Sequence, residues 1–219
     1  MIKFENTEVF NFEGAIRGMR NPLNSWDKSD SYYTYGNVDT PDGSLGETYI
    51  IGPNDLDLAR RLIKAGSDHR KFLRQIFVSV DITAPLYWWK EFDTYKVGTV
   101  ANSCSTMHKI HAKPIELSDF SIDDFEVEGS HTLASDFEQF VNYCEWLRQK
   151  YLETKDRKYW RALIQVLPES YNQKRTVTFS YETLRNIRGS RRNHKLSEWS
   201  VGFMAWIDFL PYAEELITS

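Results

Sequence analysis

Cysteine is scarce in this 219-residue chain: Cys104 and Cys144 are the only two, with no CxxC pair. That excludes a disulfide framework and thiolate metal sites, and it favours a reducing cytoplasmic compartment. No apolar run approaches the roughly eighteen residues that a membrane helix needs. The opening Met1 to Phe10 carries Lys3, Glu5 and Glu8 where a signal peptide would be apolar. The expectation is a protein with no membrane partner and no export by that route. A basic excess is also missing. Lys and Arg total 27 against 31 Asp and Glu, a net charge of -4, which argues against nucleic acid as the main partner. The sequence has no Walker A loop, no GxGxxG, no GxSxG elbow and no HExxH, and the spacing of His108 and His111 is too weak to assign a metal.

What is present is enough apolar surface for one sizeable core, with 41% hydrophobic and 15% aromatic residues. A single domain over residues 1–219 is the default. Val9 to Phe12 reads as a short strand, and Gly14 to Arg20 as a helix start that places Arg17 and Arg20 on one face. Asn21 to Gly46, rich in Asn, Ser, Asp, Tyr, Pro and Gly, reads as a long surface loop. Asn54 is placed to cap a helix that Gly66 stops. A strand is expected over Phe72 to Ile82, running through Pro85 into an aromatic helix, Leu86 to Thr94. Val97 to His108 is small and polar. Apolar residues every three or four positions from Thr132 to Leu152 predict a long amphipathic helix. A second helix begins at Lys158 and stops near Pro168, a strand covers Arg175 to Tyr181, and helices follow. The class is α+β.

Three groups carry potential chemistry. Gly98 to His108 supplies hydroxyls, an amide, the Cys104 thiol and an imidazole, and either lines a polar pocket or is an ordinary loop. Arg185, Arg188 and Arg192 share a helical face, near Arg191, Lys174, Arg175, His194 and Lys195. Such a cluster serves a phosphate or is a solvated face; guanidinium is the side chain best shaped for the former. Cys104 is either a nucleophile toward an electron-poor ring carbon or an inert thiol. Trp88 and Trp89 read as core.

Several separated blocks resemble the flavin-dependent thymidylate synthases. Ala15-Ile-Arg-Gly-Met-Arg20 looks like that family's helix with paired arginines. Ile76 to Lys96 resembles the strand, Ala-Pro turn and helix that lead into its Gln-Trp-x-Arg-His-Arg signature. Val166-Leu-Pro168, Thr178-Phe-Ser180, Leu184-Arg-Asn-Ile-Arg-Gly-Ser-Arg191, His194 and Glu198 follow at the family's intervals. The resemblance implies a curved mixed or antiparallel sheet flanked by helices, a homotetramer with sites between subunits, FAD as cofactor, and conversion of dUMP to dTMP with methylenetetrahydrofolate and NADPH.

It also implies roles by position. Arg191 matches the arginine that holds the pyrimidine or its phosphate. Asn186 and Ser180 match flavin-side polar groups, Lys96 is the cation left in the signature, and Gln75 stands at a cofactor-site histidine. Asn102, Cys104 and Ser105 match substrate-pocket positions in two registers one residue apart, Glu91 stands at the signature glutamine, and Arg17 and Arg20 are the early substrate arginines. The departures are concentrated: Thr94-Tyr95-Lys96 replaces Arg-His-Arg. Two other readings therefore stand beside the synthase: a pyrimidine C5 hydroxymethylase or related modifying enzyme that uses Cys104, and an inactive nucleotide-binding homologue.

Overall fold

The computed structural model describes residues 2–36, 46–125 and 133–219. Strand β1 (Lys3–Phe10) leads into helix α1 (Phe12–Arg20). β2 (Tyr32–Gly36), within the stretch expected to be a loop, pairs antiparallel with β3 (Gly46–Ile50), which starts at the last residue of that stretch, and Tyr33 stands opposite Tyr49. Residues 37–45 of that expected loop lie outside the described residues. Helix α2 (Pro53–Ala65) starts at Gly52 rather than Asn54. Its end is capped from a distance: the Asp30 carboxylate accepts from the Asn54 and Asp55 amides at 2.9 and 3.1 Å, matching negative charge to the positive end of the helix. Gly66 then leaves the helix at φ 108°, where a side chain would be strained.

After a short helical turn at Lys71–Arg74 come β4 (Phe77–Pro85) and helix α3 (Leu86–Phe92). The polar stretch expected to be irregular holds a strand, β5 (Thr99–Ser103), and one helical turn, α4 (Thr106–Lys109). Two long helices follow, α5 (Leu133–Thr154) and α6 (Arg157–Val166), the second capped by Asp156. β6 (Asn172–Ser180) begins three residues before expectation, α7 (Tyr181–Arg191) continues from it, and a π-helical turn at Glu198–Phe203 feeds α8 (Met204–Asp208). The four-stranded sheet has the order β1-β4-β6-β5.

Contacts divide the chain into two compact units, residues 1–5 with 80–177 and residues 6–79 with 178–219. In the first, Val141, Cys144 and Leu147 of α5 meet Leu163 of α6, and this core extends through Ile110, Ile115, Phe120 and Tyr171. Trp88, Trp89 and Phe92 are fully buried in the same unit, the two indoles edge to face at 4.9 Å, which makes the pair core. In the second unit, Ile16, Leu73, Ile76, Phe179, Tyr181, Leu184, Ile187, Trp199 and Phe203 are buried. At about 25 cal/mol per Å² of apolar surface removed from water, each of these large side chains contributes roughly 2 kcal/mol.

Candidate functional site

Within the first unit a cavity of about 710 Å³ opens between β6, α4 and the 110–123 segment. Its floor is apolar, Ile110, Phe120 and Tyr171, all shared with the core. Its rim is charged: Lys3, Lys109, Lys113 and Lys174 line it together with Asp119 and Asp123. Each lysine arrives for a local reason. Lys174 lies between Glu5 and Asp81, 3.2 Å from each, and these carboxylates raise its pKa. Lys113 is paired with Asp119, whose hydrogen bond raises the lysine pKa. Lys3 and Lys109 are exposed. Burial pushes the Tyr171 hydroxyl up, so it remains a neutral donor at physiological pH.

The turn that carries Cys104 and Ser105 is held by one residue the sequence did not single out. The buried Gln173 amide donates to the Cys104 carbonyl at 3.0 Å and to Thr106 Oγ1 at 3.2 Å. Its own carbonyl oxygen accepts from Arg175 Nε at 2.9 Å. Arg175 is fixed in turn by Asp93 at 2.8 Å and lies over the Trp89 ring at 4.2 Å. Trp89 Nε1 closes the network on the Gln173 main-chain carbonyl at 2.9 Å. The Cys104 amide donates to the Lys174 carbonyl, and Ser105 Oγ accepts from the His108 amide, starting α4. The Cys104 thiol is exposed, whereas Cys144 is buried and pushed up to about 11 by desolvation. A concave, apolar-floored site with four lysines against two aspartates, and neutral donors on its rim, suits a planar ring that carries an anionic group.

Of the residues expected from sequence, Cys104 and Ser105 come together on this cavity. Asn102 is exposed on β5, Lys96 is exposed after α3, and the Glu91 carbonyl accepts from Thr94 Oγ1. In the second unit, Asn186 lines a separate cavity of about 420 Å³ with arginines of α7. Arg191 lies over the Trp199 ring at 5.0 Å. Ser180 Oγ is spent on the Thr183 amide as the α7 cap. Gln75 packs where a Cβ on Gly18 would collide with its Oε1, and its carbonyl accepts from Asn11 Nδ2. Arg17 lines a third cavity with Tyr33, Tyr49 and Phe12, beside Glu13 at 3.8 Å.

Arg20 is buried, with Nε 2.5 Å from Asp55 and Nη1 on the Ser25 carbonyl at 3.2 Å. Burial pushes the Asp55 carboxyl up, but hydrogen bonds from Ser31, Ser29 and Arg20 outweigh it and leave the pKa below the ordinary range. The Arg20 guanidinium thus has a structural occupation. Among the described residues no cluster of metal-ligating side chains occurs, and no helix is long and apolar enough to cross a membrane.

No family model and no curated protein matches the sequence. Solved structures do. Thymidylate synthase X of Helicobacter pylori with FAD and dUMP superposes with TM-score 0.67 and 17% identity, over 99% of this chain and 97% of that one. A second structure of the same enzyme, the flavin-dependent synthase ThyX complexed with FAD and dUMP, gives TM-score 0.66 and 18% identity over 98% and 97%. The fold is that of ThyX. The α+β class expected from the sequence, and the family resemblance carried by its blocks, agree with this likeness at the level of the fold.

Proposed function

We propose that the chain is a pyrimidine-nucleotide enzyme of the flavin-dependent thymidylate synthase type, which converts dUMP to dTMP. The observation that carries this reading is the near full-length correspondence with an enzyme solved with FAD and dUMP, joined to a lysine-rimmed cavity on the segment that follows the degenerate signature. In the proposed reaction dUMP, methylenetetrahydrofolate, NADPH and a proton give dTMP, tetrahydrofolate and NADP⁺, and the two electrons that complete the methyl group come from NADPH.

Lys109 and Lys3 would hold the nucleotide phosphate, and the Ile110, Phe120 and Tyr171 floor would seat the base and keep water from it. Ser105 and Cys104 would face the ring edge. The donor chemistry of α7 fits one edge of FAD: the exposed Asn186 amide can bond the edge of its ring system. FAD, when bound, supplies the hydride carrier between NADPH and the nascent methyl group. The family's assembly as a homotetramer, with sites completed between subunits, belongs to the same proposal, as does a cytoplasmic location.

The test is the absorption spectrum of the purified chain after incubation with FAD and gel filtration, followed by NADPH oxidation with and without dUMP. Retained flavin bands and dUMP-dependent turnover are expected; a protein that rejects FAD overturns the reading. One observation favours a second reading. The exposed Cys104 thiol on the cavity rim suits attack on the pyrimidine ring for C5 hydroxymethylation without a flavin. In that case Cys104→Ser abolishes activity, and an active C104S variant removes it.

A further inference from the structure

The arginines of α7 take no part in the reading above, although Asn186 beside them does, and they line a cationic cavity in the second unit. Arg185, Arg188 and Arg192 recur at i, i+3 and i+7, so one helical face presents all three. They line the cavity of about 420 Å³ with Asn186, Gly189, Ser190 and residues 217–219. Arg185 Nη1 is anchored on the Ile217 carbonyl at 2.9 Å, which aims its remaining donors without neutralising its charge. Arg188 Nη2 meets Asp208 at 3.3 Å, while its Nε is buried with no hydrogen-bond partner. The other nearby carboxylate, Glu182, is bound by Arg70 at 2.9 Å.

Three guanidinium groups line the cavity, and the Asp208 carboxylate pairs with one of them, Arg188. Desolvation first, then the charges of Arg70 and Arg188, depress the Arg185 pKa against the opposing pull of Glu182. A buried donor left unpaired costs roughly 1–3 kcal/mol, and a phosphoryl oxygen would satisfy it. Gly189 adds a second condition: a Cβ built there meets nothing within 4 Å, so the helix is bare where the cavity opens.

We infer that this cavity is a binding site for a phosphoryl group, carrying the dianion on Arg185, Arg188 and Arg192. The group belongs either to a phosphomonoester or to the diphosphate of a dinucleotide; the recognition chemistry is the same. The inference does not depend on flavin chemistry or turnover.

Equilibrium dialysis of the full chain against radiolabelled inorganic phosphate at low ionic strength tests it. The wild-type chain is expected to bind. The exposed Arg192→Gln change should weaken binding about tenfold, as the loss of one charged hydrogen bond implies. Gly189→Glu, which places a carboxylate in open space, should abolish the Arg192-dependent component of binding while the thermal transition is retained. Lys109→Gln removes only phosphate held in the lysine-rimmed cavity and should leave that Arg192-dependent component in place. Displacement by pyrophosphate and FAD in preference to dUMP would assign the group to a dinucleotide, and the opposite order to a mononucleotide. No phosphate bound by the wild type at millimolar concentration overturns the inference. So does wild-type binding in both the Arg192→Gln and Gly189→Glu chains, or complete loss with Lys109→Gln alone. Phosphate binding without any retained FAD would sink the synthase reading and leave this one standing.

Discussion

Replacing Gln173 by Ala should loosen the turn that bears the exposed thiol. The change removes two donations, to the Cys104 carbonyl and Thr106 Oγ1, and one acceptance from the Arg175 guanidinium. Neutral hydrogen bonds contribute a net ~1 kcal/mol each and one to a charged group ~2 kcal/mol. The half-exposed turn recovers part of this from water, so a loss of about 2–3 kcal/mol is expected in urea denaturation. Local opening has its own readout. Cys104 is exposed and Cys144 is buried, so the rate at which a disulfide reagent labels the first thiol reports the turn alone. That rate should rise several-fold in the Ala variant. Gln173→Glu keeps an acceptor for Arg175 and loses the donors, so it should accelerate labelling with a smaller loss of global stability. If Gln173→Ala leaves both the labelling rate and the denaturation midpoint where they were, the network does not hold the turn.

Three other outcomes follow from the geometry. Asp55→Ala, which strands the buried Arg20 charge, should cost about 3–5 kcal/mol, measured as a lowered denaturation midpoint; an unchanged midpoint would mean the guanidinium is not committed there. Glu145 is held at about 2 by the Arg148 hydrogen bond, opposed by burial and aided by the Ile115 amide. A depressed carboxyl pKa stabilises the fold above the unfolded value near 4.5 and loses that contribution as pH falls toward 2. Glu145→Gln should therefore flatten the acid limb of stability below about pH 4.5, and parallel curves for the two proteins would refute this. Gly66→Ala, at φ 108°, should destabilise by roughly 1–3 kcal/mol in thermal unfolding, with no loss arguing against a strained position.

The elements legible in the sequence are those that bury a face. Along β4, Val78, Val80, Ile82 and Ala84 are buried while their neighbours are less so, which is the alternation that announces a strand. Along α5, Val141, Cys144 and Leu147 repeat the core spacing that predicted it. The missed strands are β2 and β5, and most of β1, which are largely exposed on both faces. With nothing buried, period two leaves no trace in the side chains, and Gly, Asn and Ser then read as loop.

The site divides the same way. Cys104 and Ser105 were visible as a concentration of reactive groups, but Lys3, Lys113 and Gln173 reach the cavity from distant segments, and no local pattern marks them. Arg20 was visible as one of a pair of arginines; what occupies it is Asp55, thirty-five positions away. The α7 arginines were legible because helical spacing alone puts them on one face.

The division of contacts has a consequence for how the polypeptide acquires its structure during synthesis. Neither unit is a continuous stretch: one joins residues 1–5 to 80–177, the other joins 6–79 to 178–219. A ribosome that has released the chain through Val177 has supplied every residue of the first unit, including its core and lysine-rimmed cavity. At that moment the second unit still lacks β6's last residues, α7 and everything after it. Its first half must wait, with Ile16, Leu73 and Ile76 lacking the partners that cover them. Nascent chains arrested near that point are the ones expected to engage chaperones and proteases, and no single cut yields either unit whole.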